Sequence, residues 1–231
     1  MEKKDNEGGN TGKQPTQIEK WLRKHKLQYA AATRHPFVYS IHDGSINFSD
    51  FKKWLEREYV FVKTALAPFA ASVLLKAWKE SVDSSDVEVL LAGLGYLNDE
   101  ISWLKQEGTK WHISFTSVVI HHKPLLDYFR FFERLTSSSD VKYAEAVTIL
   151  WAVASVYHDA FEPCLEEGNN TPEGCKIWGN ENFKQYCQSL ENTANTRLEE
   201  ASNEQVSKAE VLILEFLENI VIFWNRNLGE T

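Results

Sequence analysis

Phe51-Lys-Lys-Trp54-Leu55-Glu-Arg-Glu58-Tyr59-Val-Phe61-Val62-Lys63 repeats its apolar residues at intervals of three and four. Trp54, Leu55, Phe61, Val62 and Ala65 fall on those intervals from Glu58 or from one another, a period that an α-helix brings onto one face. Glu58 therefore belongs to the apolar face. A carboxylate rarely enters a core without a partner or a task, because water is lost around its charge. Two readings fit it: a boundary residue that reaches water or pairs with an arginine, and a pocket acid that holds a polar ligand.

Working outward, helix follows helix. Residues 18–33 are amphipathic, with Trp21, Leu22, Leu27, Tyr29 and Ala32 recurring until His35-Pro36 breaks the pattern. Residues 35–44 form a short helix stopped by Asp43-Gly44. Asn47 and Ser49 are candidate N-caps of a helix reaching about Trp78, which Pro68 should kink or divide. Ser84-Ser85-Asp86 caps the next, to about Glu107. Further helices span roughly 124–135, 141–166, 180–201 and 207–227. The stretch 141–166 is the most apolar and is expected at the centre. Nothing alternates with the period of a strand. Seven or eight helices with short links predict a single all-α bundle over residues 18–231, preceded by a polar, disordered tail over residues 1–17.

Composition narrows the partners. Lys and Arg number 25 against 33 Asp and Glu, a net charge of −8. Nucleic acid and anionic membrane both call for basic surface, so neither is expected. The longest apolar run, Val147 to Tyr157, is shorter than the roughly 20 residues that cross a bilayer. The N-terminal segment lacks the apolar core of a signal peptide. Only Cys164, Cys175 and Cys187 are present, which calls for no disulfide framework and suggests a reducing, cytoplasmic setting. Aromatic residues make up 13% of the chain, enough to build a thick core or line a pocket.

Standard catalytic motifs are absent: no glycine-rich phosphate loop, no nucleophile elbow and no Cys-x-x-Cys. His121 and His122 are adjacent, so on a helix they diverge by about 100° and share a metal poorly. No Glu-x-x-His pair of the helical di-iron kind occurs, and His158-Asp159 alone makes no site. No metal is expected.

Several segments together resemble the TenA proteins. They are Ala32-Thr-Arg-His-Pro-Phe37, Asp43-Gly-Ser-Ile46, Phe51 through Phe61, Ala71-Ser-Val-Leu-Leu-Lys-Ala-Trp78, Leu97-Asn-Asp-Glu-Ile-Ser-Trp-Leu104, Trp151-Ala-Val-Ala-Ser-Val-Tyr157, Trp178-Gly-Asn-Glu-Asn-Phe-Lys-Gln-Tyr-Cys187 and Phe223-Trp224. The resemblance covers about residues 18–226. It is nearest to the plant branch that lacks the catalytic cysteine and uses a glutamate, the branch sometimes described as seed maturation proteins. It implies a heme-oxygenase-like helical bundle, no cofactor, a homo-oligomer such as a dimer, and thiamin salvage. In that activity an amino or formylamino group is hydrolysed from a degraded thiamin pyrimidine, releasing hydroxymethylpyrimidine. The family pocket sandwiches the ring between aromatics and holds its nitrogens with carboxylates. By position the resemblance assigns ring-binding roles to Phe61, Tyr128, Tyr157, Phe183 and Tyr186, with Phe61 standing where bacterial members carry tyrosine.

The departures bear on chemistry. Glu58 replaces an aspartate, moving the carboxylate out by about 1.5 Å. The catalytic glutamate of Trp-Ala-x-Glu-x-x-Tyr is Ala154 here, and the acid of Glu-x-x-Phe-Trp is Ile220. Both positions remain on inward stripes, Leu150-Ala154-Tyr157-Phe161 and Phe216-Ile220-Phe223, and are expected to line the same cavity as Glu58. Losing a general acid or base costs about 10²–10⁴-fold. His158, one turn beyond Ala154, is a titratable residue suited to act as a base near neutral pH; its other reading is a surface-edge residue. Three functions compete: a TenA-type hydrolase with altered acids, the same pocket repurposed for another small apolar or heteroaromatic substrate (an isomerisation or cyclisation, with Glu58 and His158 as acid and base), and a non-catalytic binding or storage protein.

Overall fold

Thr16 opens the first helix with a reciprocal cap: its hydroxyl accepts from the Glu19 N–H and the Glu19 carboxylate accepts from the Thr16 N–H. The structure, a computed structural model, describes residues 14–81, 83–115, 123–165 and 173–228. Helix order thus begins inside the stretch that composition assigned to a tail, and His121-His122 lie outside the described residues.

The expected first helix is two, α1 (Gln17–Lys24) and α2 (Lys26–Thr33), broken at His25. The His25 ring nitrogen Nε2 lies 2.6 Å from Glu210 Oε1, and Lys24 Nζ reaches the same oxygen at 2.7 Å. That tertiary ion-pair cluster has no counterpart in the local periodicity. His35 then caps α3 (Pro36–His42), its Nδ1 accepting the Phe37 N–H at 3.1 Å. Gly44, at φ 71°, supplies the left-handed residue beyond it.

Asn47 caps α4 (Phe48–Phe61), which passes through a π turn, Val62–Leu66, into α5 (Ala67–Glu80). Pro68 sits in the first turn of α5. It lacks an N–H and crowds the carbonyl four residues back, and the preceding turn widens so that the Ala67 N–H bonds Val62 O. The division expected at Pro68 is therefore made just ahead of it. By length and composition the α4–α5 run is long and apolar enough to cross a membrane, yet half of its most apolar window is buried within the bundle. A core helix passes the same test.

Asp83 caps the long α6 (Ser84–Lys110); α7 spans Lys123–Ser137, and α8 spans Tyr143–Phe161 before a single 3₁₀ turn, Glu162–Leu165. A short α9 (Glu173–Trp178), α10 (Glu181–Glu200) and α11 (Asn203–Asn225) complete eleven α-helical segments among the described residues, with no strand there. The excess over seven or eight comes from the two divisions and from α9, which lay in a Gly- and Pro-bounded stretch with too few residues to show a period. Of the 19 residues of α8 only Asp159 reaches the surface. Helices α2, α3, α5, α9, α10 and α11 all pack on it, so the most apolar helix is the central one. Phe37 stacks on Trp224, and the Trp224 indole donates to Ala32 O at 3.1 Å, tying α2, α3 and α11 together.

Candidate functional site

The stripe Gly93-Leu97-Glu100-Leu104 runs along α6, and its first three residues face a cleft between α6, α8, α9 and α10. Leu150, Val153, Ala154 and Tyr157 of α8 form the opposite wall; Trp178, Phe183 and Tyr186 close the side, and Leu66, the last residue of the π turn, reaches in just ahead of α5. The cleft is narrow, with a cavity volume of about 40 Å³, and part of it opens to solvent. Its wall is aromatic and aliphatic except for one carboxylate, Glu100.

Glu58 lies behind this wall, fully buried. The Tyr157 hydroxyl donates to its Oε1 at 2.7 Å and the Trp54 indole N–H donates to Oε2 at 3.1 Å. No cation pairs with it among the described residues. Burial pushes its carboxyl up to about 7, against the opposing pull of the two hydrogen bonds. Glu100 is held well above the usual carboxylate range by burial first and by the Glu58 charge second, while a hydrogen bond from the Trp178 side chain pulls the other way. Glu58 is thus the inward acid without a basic partner, and the boundary reading does not fit it.

The structure separates the other expected site residues into two sets. Ala154, Tyr157, Phe183 and Tyr186 line the cleft. Phe61, Tyr128 and Ile220 do not. Phe61 stacks on Tyr128 with ring centroids 4.8 Å apart, inside a closed cluster with Phe132 and Phe223. The buried Tyr128 hydroxyl has no hydrogen-bond partner among the described residues, and burial followed by the Glu58 charge holds its phenol well above the ordinary value. Ile220 is fully buried on α11. The expectation that Glu58, Ala154, Tyr157 and Ile220 line one cavity is thus corrected: the two α8 residues do, Glu58 is reached through Tyr157, and Ile220 belongs to the core.

His158 is also corrected in place. It is neither a surface-edge residue nor a cleft residue; it is buried, and Nδ1 donates to Trp178 O at 2.9 Å. Its Nε2 points toward Glu162, 3.7 Å away. This ring positions the last turn of α9, and with it the Trp178 side chain that holds Glu100.

Cys164 and Cys175 are joined in a disulfide, which the cysteine count and the inferred reducing setting did not lead one to expect. The bond ties α9 to the 3₁₀ turn that follows α8. The His42 ring and these two sulfurs lie within 4.8 Å of one another, but sulfurs bonded to each other are not free to ligate a metal. A loop with a sequence separation of 11 stabilises a fold by roughly 3 kcal/mol when closed. Dithiothreitol is therefore expected to lower the melting temperature, and an unchanged melt would show that the bond does not form in solution. Cys187 is free and buried, its thiol pushed up to about 12 by burial and then by Asp159.

Gly93 allows the closest approach in the cleft. A β-carbon there would stand 2.1 Å from the Tyr186 hydroxyl oxygen. Gly93→Ala is expected to displace the Tyr186 ring and weaken ring binding about tenfold or more, although alanine favours the helix by about 1 kcal/mol. Titration of the tryptophan fluorescence with an aminopyrimidine checks this; unaltered binding would place the ring away from Tyr186.

Periodicity could have marked Gly93, Leu97, Glu100 and Leu104 as one inward stripe, since they recur at helical spacing. The exposed Asn98, Asp99 and Ser102 between them gave the segment a mixed, surface-like look.

Comparison with known proteins agrees with this architecture. Residues 21–230 match the TENA/THI-4/PQQC family. A soybean (Glycine max) protein described as a probable bifunctional TENA-E protein is 50% identical over 215 residues, covering 91% of this chain and 93% of that protein. A TenA homologue from Pyrococcus furiosus superposes with a TM-score of 0.80 at 19% identity, covering 91% of this chain and 99% of the other. A putative TenA-like thiaminase from Sulfolobus solfataricus superposes at 0.67 with 14% identity, covering 96% of each. At such identities the solved structures speak for the fold, the helical heme-oxygenase-like bundle. The match along nearly the whole chain, with a half-identical relative of the same extent, shows that this chain belongs to the TENA/THI-4/PQQC family.

Proposed function

We propose that this protein serves thiamin salvage, binding the pyrimidine of a degraded thiamin in the aromatic cleft and hydrolysing its amino or formylamino substituent at a reduced rate. The observation that supports this reading is the carboxylate of Glu58, fixed by Tyr157 and Trp54 immediately behind a wall of Tyr157, Trp178 and Phe183. A flat heteroaromatic ring suits such walls through stacking, and its nitrogens suit buried carboxyl groups. The rate is expected below that of relatives carrying both acids, by about 10² or more, because Ala154 and Ile220 hold no proton. Turnover of an aminopyrimidine and a formylaminopyrimidine by the purified chain, with ring binding measured in parallel, tests it. Full activity would show that those acids are dispensable here.

A second reading is favoured by the aliphatic part of the wall, Leu66, Leu97, Leu150, Val153 and Ala154. A cleft of that character also suits another small apolar or heteroaromatic substrate. Tight ring binding without turnover would instead point to a binding or storage role. We also expect a homo-oligomer, the assembly the family resemblance implies; light scattering that finds only the 26.6 kDa species at micromolar concentration would refute it.

A further inference from the structure

We propose that Cys164 and Cys175 are a site of reversible thiol–disulfide exchange. Closed, the bond is a latch that holds α9, and with it the Trp178 wall of the cleft; opened by a dithiol, it loosens ring binding. The effect on ring binding rests on the pyrimidine reading above, while the latch itself stands on the seat of α9. That helix has six residues, Glu173–Trp178, and a helix shorter than roughly 12–15 residues is marginal in water by itself. Its place must therefore come from tertiary ties. Cys175 is bonded to Cys164 of the 3₁₀ turn. The Trp178 carbonyl accepts from His158 of α8. Gly179, just past the helix, sits so close to the end of α8 that a β-carbon there would stand 2.7 Å from Phe161 O. The Trp178 ring lines the cleft and packs with its centroid 4.8 Å from that of Phe161 and 5.3 Å from that of Tyr157.

The sulfurs are buried, but solvent comes near them. A groove of about 430 Å³, separate from the cleft, runs between α2, α3 and the end of α8 and is lined in part by His42, Glu162 and Pro163. Pro163 adjoins Cys164, and a ring nitrogen of His42 lies within 4.8 Å of both sulfurs. A small dithiol approaches the bond by that groove. One of its thiolates attacks Cys164 Sγ, the S–S bond breaks, and Cys175 leaves as a thiolate that takes up a proton, with the His42 imidazole beside it to pass one. The second thiol of the reductant then attacks its own sulfur in the mixed disulfide and releases Cys164 as a thiol. The chain has gained two electrons and two protons, and the dithiol departs as a cyclic disulfide.

Opening the bond leaves α9 held by the His158 hydrogen bond and by the packing of Trp178. These keep the helix near its seat, so reduction changes the fraction of time the wall is in place and leaves the bundle folded. A ligand that needs the wall binds more weakly by that fraction, and a wall in place about one tenth of the time weakens binding about tenfold. Reoxidation restores the wall. Occupancy of the cleft thus follows the thiol poise of its surroundings.

The test compares the intact chain oxidised by glutathione disulfide, the same chain reduced by dithiothreitol, and its Cys175→Ser variant. Alkylation with mass spectrometry reports the bond, amide hydrogen exchange reports α9, and tryptophan fluorescence reports binding of an aminopyrimidine. Reduction should speed exchange about tenfold or more over α9 and at Gly179, whose N–H donates to Cys175 O at 2.8 Å. It should leave α8 and α11 protected and weaken ring binding about tenfold, and reoxidation should reverse both changes. Cys175→Ser should behave as the reduced chain and no longer respond to dithiothreitol. No bond in the oxidised chain, exchange over α9 that ignores reduction, or exchange that rises through the whole bundle would overturn the latch. Ring binding that is unchanged or tighter in the reduced chain would overturn its hold on the cleft. If the oxidised chain binds no aminopyrimidine, the pyrimidine reading fails and the exchange over α9 decides the latch. If Cys175→Ser does not fold, the redox cycle of the wild type decides alone.

Discussion

Replacing Glu58 with glutamine is expected to lower ring hydrolysis by about 10²–10⁴-fold and, at pH 8, to leave the fold as stable as before or more so. The sign follows from the direction of its shift. Its ordinary value is 4.5 and the folded value about 7. Between these the folded chain keeps a proton that the unfolded chain has lost. The associated stability is fully present below the lower value and is lost as pH rises through the upper one, roughly 3 kcal/mol in all. Glutamine never ionises, so it escapes that loss. Its amide N–H₂ faces Tyr157 or Trp54, both donors, and one of those hydrogen bonds goes unmade at about 1–3 kcal/mol. The variant should therefore melt below the wild type at pH 5 and level with or above it at pH 8. Thermal melts at the two pH values check this. Equal destabilisation at both would mean that Glu58 is no more perturbed than a surface acid.

Restoring acids at positions 154 and 220 is expected to give opposite results. Ala154 is 7% exposed and opens on the cleft. Ala154→Glu puts a carboxyl beside the bound ring and should raise hydrolysis about 10²-fold or more. Ile220 is 0% exposed on α11, on the inward stripe with Phe216 and Phe223. Ile220→Glu buries a charge on that apolar stripe, a loss of several kcal/mol, about 3–5. For a chain of this length that lowers the melting temperature by roughly 10 °C. Kinetics on the first variant and denaturation of the second separate the two positions. No gain from Ala154→Glu with ring binding intact would mean the cleft has been reshaped for another substrate. A stable, more active Ile220→Glu would show that α11 opens into the site when ligand binds.

The helical class, the central place of α8 and the break at Pro68 were all legible in the chain, because each depends on residues within a turn or two of one another. The run Val147–Tyr157 is apolar on every side, and only a helix surrounded by other helices can bury all of it. Glu58 was legible for the same reason: Trp54, one turn earlier, is also its hydrogen-bond donor. Ala154 and Ile220 show where such legibility stops. Both fall on inward stripes, and periodicity says that a side chain points inward without saying whether it meets a void or another side chain. Glu100 was hidden for a related reason: the polar residues around it on α6 face water, and the packing of α4 and α9 against that helix is what dries its carboxyl. The Cys164–Cys175 bond and the seat of His158 on the Trp178 carbonyl depend on how α9 docks, which no local pattern specifies. Facing is a property of one helix and is written in its own sequence. A cleft is what several packed helices leave unfilled, and it exists only once the fold has brought those helices together.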